Sequence, residues 1–204
     1  WYGVPKLTHY ILMDAYQPLA AVLSLSDLNP MGKAVTMPVT LLDDAGSLAG
    51  SKWQVIVRAY NSQLTEITNA EFSGSGSFEM VKQLGEFKLS SNQTKSAPLF
   101  IVADVVVEDV LQSRNWYWMN YESQPGCLFN LPAARLSVAK NDGCFIVTNE
   151  SSIPALGVHF DCPEVSDIFF AEDSYLWLNP GETRRIKVNM TDNVSVKSWN
   201  APAN

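Results

Sequence analysis

Beyond residue 18, apolar side chains recur with a period of two and nowhere with the 3.6-residue period of a helix. That pattern confines nearly the whole chain to β-structure. Ala21, Leu23 and Leu25 alternate with Val22, Ser24 and Ser26. Strands are predicted at residues 35–42, 53–60, 87–89, 99–107 and around Trp116–Met119, with a turn at Asp43-Asp44-Ala45-Gly46. Ser73-Gly74-Ser75-Gly76-Ser77 reads as a mobile turn; it lacks the Lys and following helix of a phosphate loop. Six or seven strands in roughly 100 residues is the count of an immunoglobulin-like sandwich.

A second series follows the boundary signal Ser123-Gln124-Pro125-Gly126. Its strands are expected at residues 135–138, 144–148, 157–162, 168–170, 176–178 and 184–190. Asn141-Asp142-Gly143 is a hairpin signal, and Asn179-Pro180-Gly181-Glu182 a tight turn. Leu156, Val158 and Phe160, with Ile186, Val188 and Met190, are the expected second core. At the other end, Pro5 at a first turn, Leu7, Tyr10 and Ile11 at helical spacing, and Pro18 as a stop predict a helix over 5–16. A helix this short needs something to dock on. The expectation is an all-β fold, two immunoglobulin-like antiparallel β-sandwiches in tandem behind a short N-terminal helix. The boundaries are 1–18 for the helix, 19–122 for the first sandwich and 123–204 for a second, smaller one.

Charge narrows the partners. The formal net charge is −7, and no basic cluster stands out; Arg184, Arg185 and Lys187 lie in a predicted strand. A nucleic-acid partner is not expected. No run of 18 apolar residues occurs, so no membrane partner is expected either. The sequence opens on Trp1 rather than Met, so the chain is expected to be processed or cut from something longer. Three Cys without a CxxC pair, and two His, predict neither a metal nor a cofactor site. Cys144 and Cys162 sit in apolar strands, as a disulfide or as buried thiols.

No catalytic residue is expected. The carboxylate pairs Asp43-Asp44, Glu108-Asp109 and Glu172-Asp173 are chain neighbours, which point to opposite faces of a strand, and each adjoins a turn. They read as solvated turn residues, not as the facing carboxyl groups of a glycosidase. His159 and Asp161 share a strand face and permit an ion pair, but no nucleophile elbow exists. Three Trp are candidate contacts with a sugar or a neighbouring domain: Trp177, which alternation turns away from the core, and Trp116 with Trp118. The last two share one face of their strand, with Tyr117 and Met119 on the other, and the pattern leaves open which face is core. Four N-x-S/T sequons occur, at Asn92, Asn149, Asn189 and Asn193.

Four segments, in order, resemble the C-terminal region of glycoside hydrolase family 2 enzymes of the β-mannosidase and exo-β-glucosaminidase branch. Gly3-Val4-Pro5-Lys6 with Tyr10 and Ala15-Tyr16-Gln17-Pro18-Leu19 is similar to that family's final barrel helix and its exit. Ser113-Arg114-Asn115-Trp116-Tyr117-Trp118 is similar to a strand closing the sandwich after the barrel. The run from Val147 to Ala155, and the run Phe170 to Glu182 with its Pro-Gly-Glu turn, are similar to motifs of the last domain. Ser174 and Trp177 depart from the usual residues. The resemblance implies a retaining exo-glycosidase parent whose two catalytic Glu lie on barrel strands outside this sequence. It implies that Asn149-Glu150 only imitates the family's acid/base dipeptide. It also implies that the chain is a non-catalytic accessory region, partnered by the (β/α)8 barrel of the same polypeptide and by glycan, in the periplasm or outside the cell. A carbohydrate-binding module and a pair of adhesion-type immunoglobulin-like domains are the alternatives.

Overall fold

The computed structural model describes residues 4–162 and 168–201. The contacts divide the chain into two units: Tyr16–Cys127, and Leu128–Asn204 together with Trp1–Ala15. Each is a two-sheet antiparallel β-sandwich. The one α-helix among the described residues, α1 (Leu7–Ala15), belongs to the second.

The first unit holds β1 (Leu19–Leu23), β2 (Val35–Asp43), β3 (Lys52–Tyr60), β4 (Glu66–Ser75), β5 (Val81–Leu89), β6 (Leu99–Val107) and β7 (Val110–Met119). One sheet runs β1-β2-β5 and the other β4-β3-β6-β7. This is an immunoglobulin-like arrangement of seven strands. Alternation along β2 and β3 delivers Met37, Val39, Leu41, Trp53, Val55 and Val57 to one core with Phe87, Ile101 and Met119. Each such large side chain contributes about 1.5–3 kcal/mol on burial.

Ser73-Gly74-Ser75 is not a turn. It ends β4, paired with Lys52, Trp53 and Gln54. The packing explains why glycine is there: a Cβ on Gly74 would lie 2.3 Å from the Trp53 ring. The indole of Trp53 also donates to the Gly76 carbonyl at 3.3 Å.

The second unit holds β8 (Leu136–Asn141), β9 (Cys144–Asn149), β10 (Ala155–Asp161), β11 (Leu176–Leu178), β12 (Thr183–Lys187) and β13 (Ser195–Lys197). Its sheets run β12-β9-β8 and β11-β10-β13. The Asn141–Gly143 signal does form the β8–β9 hairpin, with Asn141 opposite Cys144 and Gly143 at φ +61°. The core contains Phe145, Val147, Val158, Phe160, Phe169, Ile186 and Val188, with Met190 packed at its margin.

Leu156 departs from the expected core face. The β10–β11 register shifts between Ala155 and Val158, around Gly157 at φ +56°. This bulge turns Ala155 rather than Leu156 toward Val158 and Phe160 in that core. Leu156 is nonetheless fully buried. A Cβ on Gly157 would fall 2.5 Å from the Trp199 ring. Residues 168–170, expected as a strand, are not one; only Ala171 bridges Val188.

All three Cys are buried free thiols, so Cys144 and Cys162 are not bridged. No helix among the described residues is long and apolar enough to cross a membrane.

Candidate interaction sites

The helix lies against the C-terminal sandwich through one residue above all. Tyr10 is the only buried side chain of α1. Its hydroxyl donates to the Ala171 carbonyl at 3.4 Å, and its ring lies 5.9 Å from that of Tyr175. His9 meets Phe170 edge-on at 6.1 Å, and His159 stacks flat on Tyr175 at 4.9 Å. Ile11, expected on the docked face, is instead 47% exposed, beside Leu12 at 53% and Met13 at 38%. Tyr10 is flanked at helical spacing by Leu7 and Asp14, and these turn inward while residues 11–13 face out.

Asp173 lies beside this docked face. Burial, and then the charge of nearby Asp14, push its carboxyl up to about 6 from 3.8; Glu172 adds to this, against the Ser174 N–H and Arg184. A carboxyl with a raised folded pKa holds its proton longer in the folded state. Its contribution is therefore greatest below about pH 4 and is lost as pH rises through about 6. Asp173→Asn is expected to stabilise the C-terminal sandwich by about 1–3 kcal/mol at pH 8 and by almost nothing at pH 4. Urea midpoints of variant and parent at the two pH values check this; an equal gain at both would show that charge is not the cause.

The other carboxylates have structural tasks. Asp43 is not a solvated turn residue: it is 2% exposed and accepts from the Ser47 N–H and hydroxyl and from the Leu48 N–H. Burial raises its pKa, but these hydrogen bonds outweigh burial and hold the carboxyl below its ordinary value. Glu108 and Asp109 form the tip of the β6–β7 hairpin at φ +47° and +64°, and Glu108 accepts from the Lys52 N–H. Glu172 accepts from the Lys187 N–H. Asp161 pairs with Lys197, while His159 Nδ1 lies 2.7 Å from the Gly157 carbonyl, so the permitted His159–Asp161 pair does not form. Among the described residues no group of three His, Cys, Asp or Glu is placed to hold a metal ion.

The sequence pattern did not single out Asp104. It is 4% exposed on β6 and receives Arg114 in a two-pronged contact, Nε to Oδ1 at 2.6 Å and Nη2 to Oδ2 at 3.1 Å. Arg58 Nη1 reaches Oδ2 at 3.0 Å. The signal available was a lone Asp inside a run of eight apolar residues, which a strand tolerates only when cations face it.

Tyr117 and Met119 take the core side of β7. Trp116 and Trp118 therefore share the opposite face, half-buried, with ring centroids 5.2 Å apart and planes tilted by 42°. Trp177 lies outside the core cluster that takes Leu176 and Leu178, as alternation requires. It is not solvent-facing, however. Its residual exposure is 1%, and its indole N–H donates to Asn179 Oδ1 at 3.0 Å.

The motif residues have architectural roles. Asn149 is fully buried; its Nδ2 donates to the carbonyls of Ile153, Leu178 and Asn179, and its Oδ1 accepts from the Ser151 N–H. It thus ties the run 147–155 to the run 170–182. Glu150 pairs with Arg135 at the surface. Asn115 Nδ2 donates to the Ala21 carbonyl, joining β7 to β1.

Residues 131–202 match the family model Ig_mannosidase, an Ig-fold domain. No curated protein matches the chain in sequence. Among solved structures, the exo-chitosanase CsxA of Amycolatopsis orientalis is 18% identical with a TM-score of 0.69, over 96% of this chain and 27% of that one. The β-D-mannosidase of Dictyoglomus thermophilum is 15% identical with a TM-score of 0.64, over 96% of this chain and 23% of that one. At these identities the likeness is one of fold. The chain spans about a quarter of the length of the enzymes it matches.

Proposed function

We propose, from a C-terminal sandwich with the mannosidase-type Ig fold, that this chain is the non-catalytic accessory region of a family 2 glycoside hydrolase. The parent is a retaining, exo-acting enzyme of the β-mannosidase or β-glucosaminidase type, working in the periplasm or outside the cell. Residues 1–18 are the end of its catalytic (β/α)8 barrel, and the two sandwiches buttress that barrel.

One observation carries the buttressing role. The helix is held to the C-terminal sandwich by Tyr10 while Ile11, Leu12 and Met13 stay exposed as an apolar edge. An apolar edge on an otherwise docked helix suits packing against further protein. Trp116 and Trp118 fit packing against neighbouring protein better than sugar stacking, and Trp177 is buried within the chain itself. A sugar platform needs an accessible ring, and Trp177 is buried while the other two are tilted.

The chain is expected to show no turnover of aryl β-mannoside, β-galactoside or β-glucosaminide. Turnover that co-purifies with the chain would overturn the reading. In affinity electrophoresis through mannan and chitosan its mobility is expected to stay unchanged. Retardation would favour a carbohydrate-binding module instead.

A further inference from the structure

The four N-x-S/T sequons are unequal once folded. Transfer of an N-glycan forms a bond between the Asn Nδ2 and the anomeric carbon of a lipid-pyrophosphate-linked oligosaccharide. The carbon–oxygen bond to the pyrophosphate breaks, the lipid pyrophosphate leaves, and the amide gives up one proton. The product needs an Nδ2 that opens to solvent and has no other task.

Asn149 fails on both counts. It is fully buried, and its Nδ2 serves three carbonyls at 2.8, 3.1 and 3.2 Å. Asn189 is exposed, but its amide is a clamp: Oδ1 accepts from the Phe170 N–H at 2.8 Å and Nδ2 donates to the Ile168 carbonyl at 2.7 Å. Asn92 is exposed at the N-cap of the 3-10 turn Gln93–Lys95 and makes no capping hydrogen bond. Asn193 is exposed in the turn before β13, at φ +57°.

We propose that Asn92 and Asn193 are N-glycan acceptor sites of this protein and that Asn149 and Asn189 are not. The sorting comes from folding. Thr94, the hydroxyl residue of the Asn92 sequon, is fully buried in the native state and bonded to the Lys33 and Ser91 carbonyls. Recognition of that hydroxyl must therefore precede folding, when all four sequons are open. A glycan on Asn149 or Asn189 then blocks the native contacts of its own amide, so chains carrying one do not reach the folded, secreted pool. Glycans on Asn92 and Asn193 displace nothing. The inference takes only its extracytoplasmic setting from the hydrolase reading, and the leader supplied in the test provides that setting independently.

The test is to secrete the full chain from a eukaryotic host behind a cleavable leader. Enzymatic glycan release converts each occupied Asn to Asp, which peptide mapping then locates. Expected are major occupancy at Asn92 and Asn193 and none at Asn149 or Asn189. Asn92→Gln and Asn193→Gln should each remove one glycan's mass and leave the urea midpoint of the deglycosylated protein unchanged. A glycan on Asn149 or Asn189 in secreted, folded protein overturns the proposal, and so does a bare Asn92 or Asn193. If the chain is retained in the cell, the retained wild-type material is mapped: glycans at Asn92 and Asn193 support the proposal and bare residues overturn it.

Discussion

Asp104→Ala is expected to destabilise the first sandwich by about 3–5 kcal/mol, because it removes the carboxylate from a buried charge cluster and leaves the cations. The Arg114 side chain is only 6% exposed and touches both Asp104 oxygens, while Arg58 shares one of them at 3.0 Å. With the carboxylate gone, the Arg114 guanidinium stays in the same buried place with less to compensate its lost hydration. Asp104→Asn keeps the shape and one acceptor, so its loss should fall between parent and alanine variant. Urea denaturation reads both. A loss below about 1 kcal/mol for the alanine variant would mean that water already solvates the cluster.

The second large effect belongs to Asn149. Asn149→Ala strips a donor from the Ile153, Leu178 and Asn179 carbonyls and an acceptor from the Ser151 N–H. Buried groups left unpaired cost about 1–3 kcal/mol each, and partial relaxation brings the expected total to about 3 kcal/mol or more. Asn149→Asp sharpens the test. It keeps the acceptor toward Ser151 but sets a carboxylate oxygen against the carbonyls. At neutral pH it should therefore be at least as damaging as alanine. An aspartate variant as stable as the parent would show that the donor contacts do not matter.

What was legible in the sequence was what depends on neighbours along the chain. Alternation along Trp53–Tyr60 placed a strand with its core face, and the Asn141-Asp142-Gly143 run placed a hairpin because left-handed backbone is needed there. The polar stretch of β4 was not legible. Its residues alternate only between exposed and partly exposed, so no apolar period marks it, and Gly74 suggested a turn where it makes room for an indole. Period-two reading also failed at Leu156, since a bulge adds one residue that alternation does not count. Alternation turns Trp177 away from the core side of β11, but its 1% exposure there is not legible, because burial of an off-core face is decided by groups far away in sequence. Asp104 and Asn149 escaped for the same reason. A polar residue becomes structural only through partners that local pattern does not reveal.

The grouping of the helix with the C-terminal sandwich sets an order of events during synthesis. The hydroxyl of Tyr10 and the carbonyl it bonds are 161 residues apart. The helix leaves the ribosome before the first sandwich, while the residues it docks on emerge only after that whole sandwich. Nine residues cannot hold a helix by themselves in water. Until Ala171 and Tyr175 appear, the Tyr10 segment waits as an unstructured apolar stretch, open to proteases and chaperones, beside a sandwich that has its own complete core. Release of a shortened chain before residue 171 would thus leave a folded first sandwich preceded by an undocked Tyr10 segment.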